Sequence, residues 1–377
     1  GPRDRGDAVR QFAAALALLA AVPAAAQDAA APPQPWEGVW QGTIGTYPVR
    51  LCLSQRSDSW SVGAYYYLSQ LKTIGLDRRD DGSWVEKAGS SDAVTGRWTL
   101  RPAGDSLAGE WQQGAKVLPL ALTRVAADIT DGACGTREFL APRIQPVKLR
   151  EAPKTLARFS YRELTWDVGR GFPEVSLTSF AYSPVASGDK AILAALRLDP
   201  ARPEGEADYV SCFQGALGSL GKDGDFSFGY APRAVSAAFV SVTASAGGFC
   251  GGAHPYADYW WLTFDRKTGK KVDLGTWLTP AAVPRGDWFE DSSLRPLSPA
   301  FKRLVLRRLR FEDSECRTVV SEAELWNIGL DRTGLVFSPS LPHVAQACGD
   351  DAAVPFAELG PWLSAAGKAG AARQKGG

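Results

Sequence analysis

Residues 249–274 read FCGGAHPYADYWWLTFDRKTGKKVDL. Side chains alternate along a strand, so Tyr259 and Trp261 share one face of this segment while Trp260 lies on the other. Both faces are aromatic or apolar, which predicts a strand that is buried on both sides or presents aromatic groups to a partner. Lys267-Thr268-Gly269 is predicted to form the turn of a hairpin into KKVDL.

His254 is one of only two histidines in the chain and follows the glycine pair of this stretch. Neither histidine belongs to an HExxH or His-x3-His pattern, so the sequence does not predict a zinc site. It also lacks a GxSxG nucleophile motif and a glycine-rich phosphate loop. We therefore predict no catalytic residue, no metal and no cofactor, and interpret His254 as a structural residue that hydrogen-bonds the start of the hairpin.

Residues 36–125 contain eight short strand-like runs separated by turn signals, at a spacing of about 8 to 12 residues. This spacing predicts a small eight-stranded antiparallel β-barrel, lipocalin-like, because closure removes exposed strand edges. A filled core is favoured over a ligand cup, since a barrel of about 90 residues encloses little space. Five tryptophans are expected to fill or cap the interior: Trp40, Trp60, Trp84, Trp98 and Trp111.

Residues 156–365 contain several strand patterns and a few helix patterns, which predicts a mixed domain with an antiparallel sheet and packed helices. GDKAILAALRL indicates one helix, and LSPAFKRLVLRRLRFED indicates another that begins at Ser298 and Pro299. The basic face of the second helix is interpreted as a solvated surface. Residues 126–155 are predicted to form an irregular connector, and residues 366–377 a flexible tail.

The first 26 residues have the pattern of a cleavable signal peptide. Arginines precede the apolar run FAAALALLAAV, which is too short to span a bilayer, and small residues follow it. Residues 27–35 are predicted to form a proline- and alanine-rich linker, and no later apolar segment is long enough to predict a transmembrane anchor. The sequence therefore predicts a periplasmic protein, with secretion as the alternative.

Six cysteines are spread along the chain, and none lies in a CxxC pair. This pattern favours disulfides of an oxidising compartment over a zinc ribbon or a thioredoxin-like centre. Fifteen pairings are open in principle. Proximity along the chain favours three of them: Cys52–Cys134, Cys212–Cys250 and Cys316–Cys348.

The charge composition gives no indication of a nucleic-acid partner. The chain has 42 basic and 41 acidic residues and a formal net charge of +1. Such a balance provides no excess positive field to attract phosphate backbones. Nucleic-acid binding is therefore not predicted.

Two stretches, GGAHPYADYWWLTFDRKTGKKVDLGTWL and WNIGLDRTGLVFSPSLPHVAQACGDDAAVPFAELGPWL, flank the basic helix. Their order of Gly-Gly-Ala-His, aromatic hairpin, helix, Gly-Leu-x-Phe strand, proline loop and Val-Pro-Phe-x-Glu-Leu resembles the extracytoplasmic domain of RsiV-type anti-sigma factors. The same domain occurs in some peptidoglycan deacetylases. The resemblance covers roughly residues 156–365 and is strongest from Phe249 onward. It implies an α+β domain that binds rather than catalyses, and in the anti-sigma factors the ligand is lysozyme, a muramidase.

This resemblance and the lack of catalytic motifs predict a non-enzymatic periplasmic binding protein. Its expected partner is a lysozyme-like cell-wall hydrolase or another envelope protein, with the chain acting as an inhibitor or protective factor. The candidate contact residues lie in the aromatic segment and the proline loop: Gly252, His254, Tyr256, Trp260, Trp261, Pro342 and His343. Two alternatives stay open, namely a peptidoglycan-modifying hydrolase or deacetylase (or its accessory) and a structural scaffold of an envelope assembly.

Overall fold

The computed structural model describes residues 33–57, 59–87, 93–286, 293–311 and 313–375, with the Lys87 side chain excepted. The predicted signal peptide and most of the linker, residues 1–32, lie outside the described residues. From Pro35 onward the described residues form one compact unit that contains a closed barrel, two further sheets and several helices. The α+β class predicted from the sequence is confirmed.

The barrel consists of eight antiparallel strands in chain order. They are β1 (Gly38–Ile44), β2 (Tyr47–Ser57), β3 (Trp60–Tyr67), β4 (Ile74–Arg78), β5 (Trp84–Lys87), β6 (Val94–Ala103), β7 (Ser106–Gln113) and β8 (Lys116–Val125). β8 returns to pair with β1, with Val125 opposite Val39, so that no strand edge is left open. The predicted eight-stranded barrel is confirmed.

Aromatic side chains fill the barrel, and four of the five predicted tryptophans are buried: Trp40, Trp84, Trp98 and Trp111. The prediction for Trp60 is wrong, because this side chain is 47% exposed. Trp60 begins β3 opposite Ser57, beyond an irregularity in the β2–β3 pairing, and therefore lies at the outer end of that hairpin. Glu86 is buried among the rings and accepts hydrogen bonds from Trp98 and Trp111.

The predicted irregular connector is wrong in its last part. Residues 126–147 contain the short helix α1 (Arg137–Leu140) and two 3-10 turns, but Lys148–Leu156 forms a strand, β9. β9 pairs with the next strand along its whole length, and the charged side chains of this hairpin form ion pairs such as Arg150–Asp167 at 2.8 Å. Because β9 is an edge strand with charges on an exposed surface, it lacks the apolar alternation that would have revealed it.

A six-stranded sheet follows the barrel. Its remaining strands are β10 (Phe159–Asp167), β11 (Val175–Ala181), β12 (Asp225–Val235), β13 (Phe239–Phe249) and β14 (Tyr256–Asp265). The spatial order is β14-β13-β12-β11-β10-β9, and only β11 and β12 are parallel within it. Helices α2 (Asp189–Ala195) and α3 (Tyr209–Leu220) lie in the crossover that this parallel pair requires.

The predicted turn after β14 is present, but the second arm of the predicted hairpin is not a strand. Gly269 has a φ of +71°, as a tight turn needs, and Val272 N–H donates to the Thr263 carbonyl at 2.7 Å. Pairing beyond the turn is limited to an isolated bridge between Phe264 and Lys271. β14 pairs instead along its whole length with β13.

A four-stranded antiparallel sheet and four helices complete the fold. The strands are β15 (Leu294–Pro296), β16 (Leu325–Leu330), β17 (Gly334–Pro339) and β18 (Ala352–Pro355), and the helices are α4 (Pro299–Leu306), α5 (Ser314–Glu322), α6 (Phe356–Leu359) and α7 (Ala365–Lys375). α4 begins where predicted, since the Ser298 hydroxyl accepts from the Phe301 N–H and Pro299 occupies the first turn.

The predicted flexible tail is wrong as far as Lys375, because α7 is an ordered helix that contacts Trp277. A methyl group at Gly367 or Gly370 would overlap the Trp277 backbone or ring, so the small residues permit a close approach. The sequence of α7 is rich in glycine, alanine and lysine and has no apolar stripe, so the local pattern alone does not predict a packed helix.

All three predicted disulfides are present. Cys52–Cys134 and Cys316–Cys348 have Cα–Cα distances of 5.0 Å, and Cys212–Cys250 has one of 4.5 Å. The first bond attaches the segment after the barrel to β2, the second attaches α3 to the end of β13, and the third attaches α5 to the proline loop. Disulfides of this kind are typical of an extracellular or periplasmic protein.

Candidate functional site

The outer edge of β14 meets the proline loop. β14 is the last strand of its sheet, and the loop after β17 contains a 3-10 helix, His343–Cys348, which the Cys316–Cys348 disulfide holds against α5. Gln346 on this helix donates a hydrogen bond from its side-chain amide to the Ala257 carbonyl. The tertiary structure thus brings together the two regions that the sequence singled out, at a point one residue beyond Tyr256.

A cleft of about 470 Å³ lies between β14 and this loop, and we call it the β14 cleft. It is lined by Ala257, Asp258, Tyr259, Asn327, Ser338, Pro339, Ser340, Leu341, Gln346, Gly349, Asp350 and Asp351. Its size is within the range of small-ligand and peptide sites. Three of its side chains are aspartates and none is basic, so the cleft is acidic.

Asp351 lies at the centre of a hydrogen-bond network in the cleft. Its carboxylate accepts hydrogen bonds from the Ser338 hydroxyl and from the Tyr259 hydroxyl, the latter at 3.3 Å. Ser338 in turn accepts from Trp261 Nε1 at 3.1 Å. Burial and the neighbouring Asp351 charge raise the pKa of Tyr259 to about 12, so its hydroxyl stays protonated near neutral pH and can donate.

A second cavity of about 320 Å³ lies on the other side of Asp351. Arg233 and Trp261 line it, with the guanidinium carbon 5.6 Å from the centre of the indole ring. An Arg233 nitrogen also lies 3.9 Å from Asp351 Oδ2. Arg233 therefore offsets part of the Asp351 charge from outside the β14 cleft, while Asp258 and Asp350 are exposed.

The seven candidate contact residues are distributed around the cleft rather than in it. Four of them are exposed: Gly252, His254, Pro342 and His343. Tyr256 and Trp260 are half-buried, and Trp260 packs on the opposite face of the sheet with its ring 5.9 Å from that of Phe228. Trp261 is buried against Gly329 and supports the cleft from beneath, so its ring is not available as a surface contact.

The structural role predicted for His254 is not what the structure shows. Its side chain is exposed and makes no hydrogen bond to any residue in the described part of the chain. Gly251, three residues earlier, has a φ of +90° and closely approaches the Gly215 backbone of α3. The turn is therefore shaped by backbone geometry rather than by the histidine.

Sequence reasoning missed the side chains that form the cleft. Asp350 and Asp351 had a recognisable signal, because an acidic pair directly after Cys348 and Gly349 interrupts an otherwise apolar stretch. Asn327 and Gln346 had none, since an isolated amide in a strand or loop is unremarkable in sequence. Their role is evident only in the structure, where both side-chain amides donate hydrogen bonds to β14 carbonyls.

Among the described helices, none combines the length and apolar character needed to cross a membrane. Within the part of the chain that the structure describes, no group of three His, Cys, Asp or Glu side chains is arranged to hold a metal ion.

Comparison with known proteins identifies structural neighbours without an assigned function. No family model and no curated protein matches the chain. The chain is similar to a DUF3298 family member from Bacteroides fragilis, with a TM-score of 0.38 and 11% identity over 62% of this chain and 98% of that chain. A DUF3298 family protein from Pseudomonas aeruginosa gives a TM-score of 0.33 and 15% identity over 59% and 97%. DUF3298 is a domain of unknown function, and at these TM-scores neither neighbour carries an argument about activity.

Proposed function

We propose that this chain is a non-enzymatic binding protein of an oxidising compartment outside the cytoplasm, and that its β14 cleft recognises a protein with a basic surface. The partner we propose is a lysozyme-type muramidase of the cell wall, which the chain inhibits or sequesters. The acidity of the cleft is the observation that carries this proposal, because Asp258, Asp350 and Asp351 line it without a basic side chain among them.

The chemistry of the cleft suits a protein surface. Tyr259 is 39% exposed and offers a ring together with a hydroxyl, and tyrosine is enriched among residues that contribute most to protein interfaces. Carboxylates at the rim accelerate association with a basic partner and make it sensitive to salt. An inhibitory complex with a basic muramidase would use both features.

Binding to hen egg-white lysozyme, measured by calorimetry at low and physiological salt, tests the proposal, together with a turbidity assay of muramidase activity. We expect Asp258→Asn combined with Asp350→Asn to weaken binding about 3- to 10-fold at low salt. The matched control, Asp80→Asn combined with Glu204→Gln, removes two exposed charges elsewhere and should leave binding unchanged.

Two results would argue against the proposal in different ways. If the wild-type chain binds none of a panel of purified muramidases at about micromolar concentration, the proposed partner class is wrong. If it binds them but the cleft variant and the control behave alike, the binding surface lies elsewhere.

A further inference from the structure

The edge of β14 is open over its first residues. In the antiparallel pairing with β13, alternate residues direct their N–H and C=O groups toward the partner strand, and the others direct them away. The Thr263 carbonyl faces away, since it accepts from Val272. Ala257 and Tyr259 have the same parity, so their backbone groups also point outward, into the β14 cleft.

Two side-chain amides take the place of a neighbouring strand at this edge. Gln346 donates to the Ala257 carbonyl, and Asn327 Nδ2 donates to the Tyr259 carbonyl at 3.1 Å. Backbone N–H groups of an adjacent strand would make these same bonds, two residues apart. Within the described residues, the outward N–H groups of Ala257 and Tyr259 have no hydrogen-bond partner.

The open edge has a definite end. Trp261, the next residue of this parity, packs so closely on Gly329 of β16 that a methyl group there would overlap its ring. The available backbone therefore extends from Tyr256 to Tyr259, with one unused donor at Ala257 and another at Tyr259. An edge with unpaired donors is a template for strand addition.

We propose that an extended, basic segment of the partner adds to β14 along Tyr256–Tyr259 and displaces the Gln346 amide from the Ala257 carbonyl. This inference rests on the proposed function and adds the mode of binding to it. The negative charge of the cleft favours a basic segment, because Asp258, Asp350 and Asp351 attract lysine and arginine side chains. A second copy of this chain would bring the same three carboxylates to the contact, and like charges oppose such a pairing.

The first test uses a probe peptide, acetyl-Lys-Val-Lys-Val-Lys-Val-amide, and a version N-methylated on every residue. The two carry the same charge and side chains, but the second has no residue N–H group on either edge with which to pair with a strand. We expect the first to bind the wild-type chain about 10-fold more tightly than the second. Equal affinities would overturn strand addition.

The second test changes the edge itself. Ala257→Pro removes an outward N–H without removing a bond to β13, and Ala257→Val is the matched control that retains it. We expect the proline variant to bind hen egg-white lysozyme about 2- to 10-fold more weakly than the valine variant. Circular dichroism and the melting temperature check that both variants are folded, and equal binding by the two folded variants would overturn the proposal.

Gln346→Ala tests whether the incoming strand displaces the Gln346 amide or binds in contact with it. Removing the amide opens the Ala257 carbonyl, so we expect the probe peptide to bind about 2- to 10-fold more tightly. Unchanged or weaker binding would overturn displacement of Gln346.

Amide hydrogen exchange completes the test, since the Ala257 and Tyr259 amides should become protected in the complex. If the wild-type chain binds neither peptide nor lysozyme, the proposed function itself fails, whereas lysozyme binding without protection of these amides overturns strand addition alone.

Discussion

Arg143 and Asp223 form an ion pair at the junction of the barrel with the six-stranded sheet, with Nη1 2.6 Å from Oδ1. The Arg143 side chain has no solvent exposure, and its Nε donates to the Gly171 carbonyl at 2.8 Å. Thr73, in the loop between β3 and β4, accepts from Arg143 and donates to Asp223 at 2.7 Å. Three separate segments of the chain therefore depend on one buried guanidinium.

Removing the carboxylate of this pair should destabilise the protein strongly. Asp223→Ala leaves the Arg143 charge buried without its counter-ion, which costs about 3 to 5 kcal/mol in the free energy of unfolding. Urea denaturation measures the loss. Asp225→Ala, at an exposed position nearby, should change the value by less than about 0.5 kcal/mol. Equal denaturation midpoints for the two variants would contradict the assigned role.

Glu86 should be required for the stability of the barrel. Its Oε1 accepts from the Tyr65 hydroxyl at 2.8 Å, Trp98 Nε1 at 2.7 Å and Trp111 Nε1 at 2.6 Å. Glu86→Leu leaves these three donors unpaired and should lower the free energy of unfolding by about 3 kcal/mol or more, while Glu86→Gln retains an acceptor and should cost less. Thermal unfolding followed by tryptophan fluorescence compares the two, and an equal loss in both would mean that the charge, not the acceptor, matters.

A methyl group at Gly329 should disturb the β14 cleft. It would overlap the Trp261 ring, and moving that ring breaks the Trp261–Ser338 hydrogen bond beneath Asp351. We expect Gly329→Ala to cost about 1 to 3 kcal/mol and to weaken partner binding. Gly360→Ala is the control, since nothing lies within 4 Å of the added methyl. Unaltered binding and stability in Gly329→Ala would show that the Trp261 position is not critical.

Asp189 should make the free energy of unfolding depend on pH. Burial would raise its pKa, but the Arg266 guanidinium and the Ala186 and Val185 N–H groups outweigh burial and lower the pKa to about 2. The folded pKa of Asp189 lies below the unfolded value of about 3.9. The stabilisation that the ionised carboxylate gives the folded state is therefore present above about pH 4 and is lost as the pH falls from about 4 to about 2. This contribution to the free energy of unfolding amounts to about 2 to 3 kcal/mol.

Urea denaturation between pH 6 and pH 2 measures this dependence. Asp189→Asn should be less stable than the wild type at pH 6, and the difference should shrink toward pH 2 as the wild-type carboxyl becomes protonated. A constant difference across this range would show that the Asp189–Arg266 pair does not set the acid sensitivity.

The Cys316–Cys348 disulfide should hold the loop that carries Gln346. The bond closes a segment with a sequence separation of 32, and its loss should lower the free energy of unfolding by about 3 to 4 kcal/mol on the chain-entropy account. We expect hydrogen exchange in His343–Cys348 to become faster in the Cys316→Ser, Cys348→Ser double variant. Unchanged exchange there would mean that contacts with β14 alone hold the loop.

Local patterns in the sequence were sufficient for several parts of the fold. Turn signals at regular spacing predicted the closed barrel, proximity along the chain predicted the three disulfides, and Ser298 with Pro299 predicted the start of α4. The barrel and the start of α4 depend on a periodicity or on residues close together in sequence. The disulfides follow the order of the cysteines, since each cysteine pairs with the next one along the chain, although the separation reaches 82 residues for Cys52–Cys134. β9 and α7 were missed because neither has an apolar stripe: β9 is held by pairing with the neighbouring strand β10, and α7 by its contact with Trp277, about 90 residues earlier.

The sequence by itself determined the α+β class, the barrel, the disulfides and the two regions from which the site is built. Only the tertiary structure decided which of their residues form the cleft. The Asn327 amide donates to a β14 carbonyl 68 residues away, and the Gln346 amide donates to one that is 89 residues away. The Asp351 carboxylate accepts from a tyrosine hydroxyl of β14 that is 92 residues away. These contacts depend on how the four-stranded sheet and its loop lie against the β14 edge, and a hydrogen bond requires that placement to within a fraction of an ångström.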